Sequence, residues 1–250
     1  MITIYDVGPI TVNNRPIGMS PFVRRIMYIL HYKKLKYKVA LIGYEDIEPS
    51  AKSVGATPTA MKPDGITPRF TVPFIHDSDK NVVVSDSIRI AEYLDNEYPG
   101  TALALPNNTR ALQAAFAETV FETSRSLLGP YLGSRLRECM SQRLIEGQRK
   151  LYGTSLADVE LTTEERMEAW KKGEAGLAKM GEWYTHGHLY VLGNTPSYGD
   201  FTIVGIWWYA RELLGRESSD WKEFSRWLGG RIDKLVEAID SLPSTQVEYA

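Results

Sequence analysis

The first hundred residues switch between two periodicities. Ile2-Thr3-Ile4-Tyr5-Asp6-Val7 alternates and is β-branched, which predicts a strand. From Phe22 the period lengthens: Phe22, Ile26, Ile29 and Leu30 share a helical face, with Ser20 placed as N-cap and Pro21 at the first helical position. Lys38–Ile42 reads as a second strand. Residues 45–68, with prolines among polar positions, predict a mostly irregular stretch. A strand through Phe74, a turn near Asp79-Lys80 and a strand over Asn81–Val84 follow. They lead into a helix with Ile88, Ala91 and Leu94 on one side.

After Tyr98 the stretch PGTALALPNNT has no period and reads as a linker. Beyond it every strong signal is helical. Leu112, Ala115, Phe116 and Thr119 mark one helix, expected to break around Gly129-Pro130. Met167, Trp170, Leu177 and Met180 mark another. Phe201, Val204, Gly205 and Trp208 recur at i, i+3, i+4 and i+7, and residues 219–239 form a further helix. The expected organisation is an α/β unit over residues 1–95, a linker over 96–106 and an all-α unit over 107–250.

Composition narrows the function classes. Of 250 residues 43% are hydrophobic and 24% charged, and 29 basic against 31 acidic side chains leave a net charge of −2. Such a balance argues against nucleic-acid or membrane-surface partners. No apolar run reaches the roughly 18 residues of a membrane span. MITIYDVG has no basic and apolar signal regions, so a cytoplasmic protein is expected. The single Cys139 permits no internal disulfide, reads as a packed thiol, and with four unclustered histidines gives no metal site.

Three local patterns belong together. Thr71-Val72-Pro73 precedes a strand, Ser85-Asp86-Ser87 opens a helix about a dozen residues later, and Ser20-Pro21 opens the first helix. With Ser197-x-x-Asp200 ahead of an apolar helix, the chain resembles the cytosolic glutathione transferases over roughly residues 1–240. MSPFVRR and the long 8–19 loop look most like the fungal and bacterial groups related to lignin β-etherases. The resemblance implies a thioredoxin-like α/β domain followed by an all-α domain. It also implies glutathione as co-substrate without a metal, small hydrophobic or aromatic ligands as partners, and a homodimer.

What the resemblance implies for individual residues can be weighed physically. Ser20 would donate to the glutathione thiolate. Lowering a thiol of pKa about 8.5 by about two units takes roughly 2.7 kcal/mol. One hydrogen bond to a charged sulfur supplies about 1.5–3 kcal/mol, and a helix N-terminus adds about 0.3–1 kcal/mol. The competing reading of Ser20 is a plain helix cap, worth about 1 kcal/mol. Pro73 would be cis, turning the backbone of Val72 outward to pair with the cysteinyl unit as a one-residue strand. Asp86 would meet the γ-glutamyl ammonium, while Ser87 and the helix N-terminus meet its carboxylate. Arg69 either reaches the glycine carboxylate or is simply solvated, and Lys62 is a weaker candidate for the same group. Ser197 and Asp200 read as a structural cap.

Phe22, Phe121, Arg125 and Tyr131 are candidates for the walls of an acceptor pocket, where the 8–19 loop faces the first helix of the second unit, with core packing the competing and more frequent fate of aromatics at helical spacing. Arg24 and Arg25 are expected as one solvated charge and one domain-interface charge. With serine rather than cysteine at position 20, cysteine redox chemistry is not expected. The reaction expected is thiolate attack on an aromatic electrophile. A carrier of aromatic compounds and a glutathione-dependent aryl-ether-cleaving enzyme are the alternatives.

Overall fold

The computed structural model describes residues 1–62, 64–184 and 187–249. In chain order the strands are β1 (Ile2–Val7), β2 (Ile10–Val12), β3 (Arg15–Ile17), β4 (Tyr37–Ile42), β5 (Ala60–Met61), β6 (Pro68–Arg69), β7 (Phe74–Asp77), β8 (Val82–Ser85) and β9 (Gln246–Tyr249). The α-helices are α1 (Pro21–Tyr32), α2 (Ile47–Val54), α3 (Ser87–Glu97), α4 (Arg110–Cys139), α5 (Gln142–Tyr152), α6 (Thr163–Gly181), α7 (Tyr198–Leu214) and α8 (Ser219–Asp240). No helix among the described residues is long and apolar enough to cross a membrane.

The main sheet has the order β8-β7-β1-β4-β9. β1 runs parallel to β4, with Ile2 opposite Tyr37, and antiparallel to β7, with Ile4 opposite Ile75. The β1–α1–β4 crossover lays α1 over the sheet. Val23, Ile26, Ile29 and Leu30 are wholly buried, because α1 also packs against α7. That contact is tight: a Cβ at Gly205 would come within 2.7 Å of the Pro21 carbonyl oxygen. The α7 sequence is apolar nearly all round, as a helix at the centre of a domain must be.

Four expectations change. Residues 45–68 are less irregular than expected: Ile47–Val54 is helical, and Pro49 sits in its first turn, where no amide donor is needed. The 8–19 loop contains the β2–β3 hairpin, turned by Asn13 and Asn14 at φ 50° and 59°, a type I′ signature. α4 runs unbroken through Gly129-Pro130. Leu127, Leu128, Leu132 and Leu136 are buried on either side, and their packing outweighs one missing amide. Its inner face is also rotated from the one expected: Leu112 is 73% exposed while Gln113 is 1% exposed.

The last residues do not belong to the helical unit. β9 returns to the α/β unit and pairs parallel with β4, Tyr37 opposite Gln246. It covers what would otherwise be an open sheet edge.

Ser197 and Asp200 form a buried hub at the start of α7. The Asp200 carboxylate accepts from the amides of Val191 and Ser197 and from the Ser197 hydroxyl, each at 2.9 Å. Gln113 of α4 accepts the Gly199 amide at 2.7 Å, locking α7 to α4. Asp200→Ala removes the acceptor of the part-buried Val191 amide and the buried Ser197 amide, and leaves the Ser197 hydroxyl only its longer bond to Gln113 at 3.4 Å. It is expected to lower stability by about 2–4 kcal/mol in urea denaturation, whereas a loss below about 0.5 kcal/mol would contradict the hub.

Candidate active site

A cavity of about 750 Å³ separates the α/β unit from the helical unit. Ser20, Phe22, Arg69, Val72, Pro73, Asp86 and Ser87 line one side, and Phe121 and Arg125 of α4 line the other. The chain thus brings most of the residues singled out from its sequence to one concavity.

Ser20 stands at the N-cap of α1 with extended backbone, and its Oγ accepts the Val23 amide at 3.4 Å. A hydroxyl has acceptor lone pairs and one proton. The cap occupies a lone pair, which leaves the proton for the cavity. The turn carrying Ser20 is held from below: the Ser20 amide donates to Asp6 Oδ1 at 3.1 Å, and the Met19 amide donates to the Val7 carbonyl at 2.8 Å. From above, the Tyr209 hydroxyl of α7 donates to the Gly18 carbonyl. Gly18 must lack a side chain, since its Cβ would lie 1.9 Å from Asp6 Oδ2. Burial pushes the Asp6 carboxyl up to about 7, against the pull of Arg24 and of the Ser20 and Val7 amides.

The strand side is equally constrained. The Val72–Pro73 peptide is cis, and the Pro73 carbonyl accepts the Asp86 amide at 3.3 Å, tying the two segments together. Asp86 holds φ 80°, a region costing a non-glycine residue about 1–3 kcal/mol. Its Oδ1 caps α3 by accepting from Ile88 and Arg89 at 3.1 and 3.2 Å. The Ser87 hydroxyl pairs with the Tyr198 hydroxyl at 2.9 Å, and Arg25 donates to Tyr198 from behind. The guanidinium of Arg69 lies 5.3 Å from the Tyr152 ring centroid. Lys62 is not among the cavity-lining residues; its ammonium stands 3.6 Å from Glu48.

On the apolar side the rings of Phe22 and Phe121 meet at 4.8 Å between centroids. Arg125 sits exposed and pairs with Glu122 at 2.8 Å. Tyr131 is elsewhere: it packs against Trp170 and Phe224 inside the helical unit, at 5.5 and 5.7 Å. An aromatic at helical spacing gains more from that cluster than from a cavity wall. The β2–β3 hairpin also stays off the wall, which takes Val7 and Met19 from its two flanks. Both arginines of α1 are buried, Arg24 at 8% and Arg25 at 3% exposure, so neither is a solvated charge.

Arg25, Tyr44 and Tyr152 line the cavity without having been singled out as pocket residues. Arg25 was legible in principle, being three residues after Phe22 and so on the same helical face. Tyr44 and Tyr152 were not. They come together because α5 folds back onto the turn after β4, where Gln148 donates to the Tyr44 hydroxyl at 2.9 Å and Arg143 reaches Asp46 at 2.7 Å. Such a long-range contact leaves no periodic trace.

Comparison with known proteins fixes the class to which this arrangement belongs. Residues 19–97 match the glutathione S-transferase N-terminal domain, and residues 110–242 match the glutathione S-transferase C-terminal domain. The chain belongs to the glutathione S-transferase family. It is similar to a glutathione S-transferase of Ceriporiopsis subvermispora crystallised with glutathione, at 33% identity over 96% of this chain and 97% of that one, TM-score 0.84. It is also similar to glutathione transferase GSTFuA2 of Phanerochaete chrysosporium, at 30% identity over 96% and 97%, TM-score 0.84. The β-etherase LigF of Sphingobium shares the fold, at 16% identity over 96% and 98%, TM-score 0.58. Among curated proteins none matches.

Asp6 gives the site a measurable pH dependence. A buried carboxyl with a raised pKa is bound to its proton more tightly in the folded than in the unfolded chain, so it favours folding most below the unfolded value near 3.9. That contribution disappears as pH rises to about 7. Relative to Asp6→Asn, the protein is expected to lose on the order of 4 kcal/mol between those limits in denaturant titrations. A difference that stays constant across the window would contradict a protonated Asp6.

Proposed function

We propose that the chain catalyses attack of the glutathione thiolate on small, hydrophobic aromatic electrophiles, with Ser20 donating its hydroxyl proton to the sulfur. The observation carrying this reading is the division of labour at Ser20. The Val23 amide takes a lone pair at 3.4 Å, and the hydroxyl proton stays available on the wall of the cavity. Cap and thiolate donor are then one group in one geometry.

The remaining assignments follow the chemistry of the peptide. Val72 pairs with the cysteinyl unit. Asp86 takes the γ-glutamyl ammonium, and Ser87 with the N-terminus of α3 takes the neighbouring carboxylate. Arg69 takes the glycine carboxylate through its fork of donors. Relatives crystallised with glutathione support this direction. Phe22 and Phe121, paired at the cavity, favour a flat apolar electrophile placed beside the sulfur. The protein's share of the work is to hold two reactants in register and to stabilise the thiolate.

Two kinetic measurements test the reading. With glutathione and chlorodinitrobenzene, Ser20→Ala is expected to lower kcat about 10–100-fold, the worth of one charged hydrogen bond, and to leave KM for glutathione within about threefold. Phe121→Ala is expected to raise KM for the aromatic partner about fivefold and to spare KM for glutathione. An unchanged kcat in Ser20→Ala, or tight binding of aromatics with no turnover by the native protein, would overturn it.

A further inference from the structure

A separate concavity of about 460 Å³ opens on another face of α1. Arg24, Met27 and His31 of α1 line it at i, i+3 and i+7, opposite Trp208 and Arg211 of α7, and Ser244 of the segment entering β9 closes one side. None of these residues lines the interdomain cavity.

Its charges do not balance. Four arginines, Arg15, Arg24, Arg211 and Arg216, face two acids, Glu212 and Asp240. Three of the four are neutralised. Arg15 pairs with Glu212 at 2.8 Å, Arg216 pairs with Glu237 at 2.8 Å, and Arg211 pairs with Glu237 at 3.2 Å and with Asp240. Arg24 makes no ion pair among the described residues. It is only 8% exposed, its guanidinium lies 3.6 Å from the Trp208 ring centroid, and its Nε is buried without a hydrogen-bond partner. The Nε of Arg211, also on this wall, is unpartnered as well.

A guanidinium cannot shed its charge, and the carboxyl that acts on Arg24 through space, Asp6, makes no ion-pair contact with it and is itself held up to about 7 by burial, so keeping Arg24 out of water is costly. We infer that this concavity is a second ligand site, for a small organic carboxylate whose oxygens engage the Arg24 fork. The planar fork suits a carboxylate held by two parallel bonds. Stacking on Trp208 fixes the fork in one orientation, as a specific site requires. The lining is predominantly polar, and Met27 and Leu242 supply its apolar part, beside which the short hydrocarbon body of a small carboxylate can lie. His31, pushed down to about 4 by burial, is neutral at physiological pH and adds no second cation. Its Nε2 is already within 2.7 Å of the Tyr37 hydroxyl. The two cavities share no lining residue, so the inference stands or falls apart from the proposed reaction.

Butyrate and its neutral isostere butyramide are the probes, with binding to the intact protein followed by calorimetry. Butyrate is expected to bind saturably in the millimolar range and butyramide not to bind. Arg24→Met, which keeps length and removes charge, is expected to weaken butyrate at least about tenfold. Ser244→Phe adds bulk to the wall at an exposed position while keeping Arg24 itself, and is expected to do the same should Arg24→Met fold poorly. Phe22→Ala, in the other cavity, is expected to leave butyrate binding unchanged. Absence of saturable butyrate binding, equal binding of butyramide, unchanged binding in a folded Arg24→Met, or loss of binding in Phe22→Ala would each overturn the assignment.

Discussion

The first turn of α1 is gripped from two sides, and most of what the site does follows from that grip. Beneath it, β1 supplies the Asp6 carboxyl to the Ser20 amide and the Val7 carbonyl to the Met19 amide. Above it, α7 supplies the Tyr209 hydroxyl to the Gly18 carbonyl and comes so close at Gly205 that no side chain fits there. A hydroxyl used to tune a thiol must be held to within a fraction of an ångström. Here the backbone around it is pinned by the α/β unit and the helical unit at once. The two units are therefore not independent modules with a cleft between them. The helical unit is part of what positions Ser20, and β9 repeats the theme by returning the end of the chain to the first sheet.

α1 also divides the molecule chemically. Its first turn presents Ser20, Phe22 and Arg25 to the interdomain cavity, while Arg24, Met27 and His31 face the other concavity. Buried cations appear on both faces, but they are treated differently. Arg25 donates to Tyr198, which pairs with Ser87, so its hydrogen bond is passed on to the N-terminus of α3. Arg24 is stacked on Trp208 and makes no ion-pair contact among the described residues, Asp6 acting on it only through space. Burying a guanidinium in each place costs stability. The return on that cost is a positively biased wall in each cavity.

How much of this was legible follows from which forces leave a local signature. Strand alternation, the caps at Ser20 and Asp86 and the apolar α7 are written in short-range spacing, so the α/β-then-helical plan could be read directly. The glycine-free turn Asn13-Asn14 carries an equally short-range signature inside the long 8–19 loop. α4 misled because two of its buried positions, Gln113 and Ser124, are polar. Gln113 is there to satisfy an α7 amide, so the apolar stripe is broken for a tertiary reason. Tyr131 followed the same logic in reverse: spacing put it on a helix face, and only packing against Trp170 and Phe224 decides which neighbour that face meets. Tyr44 and Tyr152 meet through a fold-back of about a hundred residues, and no local pattern announces such a contact.

The claim on which the functional account rests is that the Ser20 hydroxyl stabilises a thiolate. Ultraviolet titration of the thiolate of bound glutathione, in the native protein and in Ser20→Ala, tests it without any electrophile. The account predicts a thiol pKa about two units below its free value in the native protein, returning most of the way in the variant. Equal pKa values in the two proteins would contradict it and would reduce Ser20 to the cap of a helix.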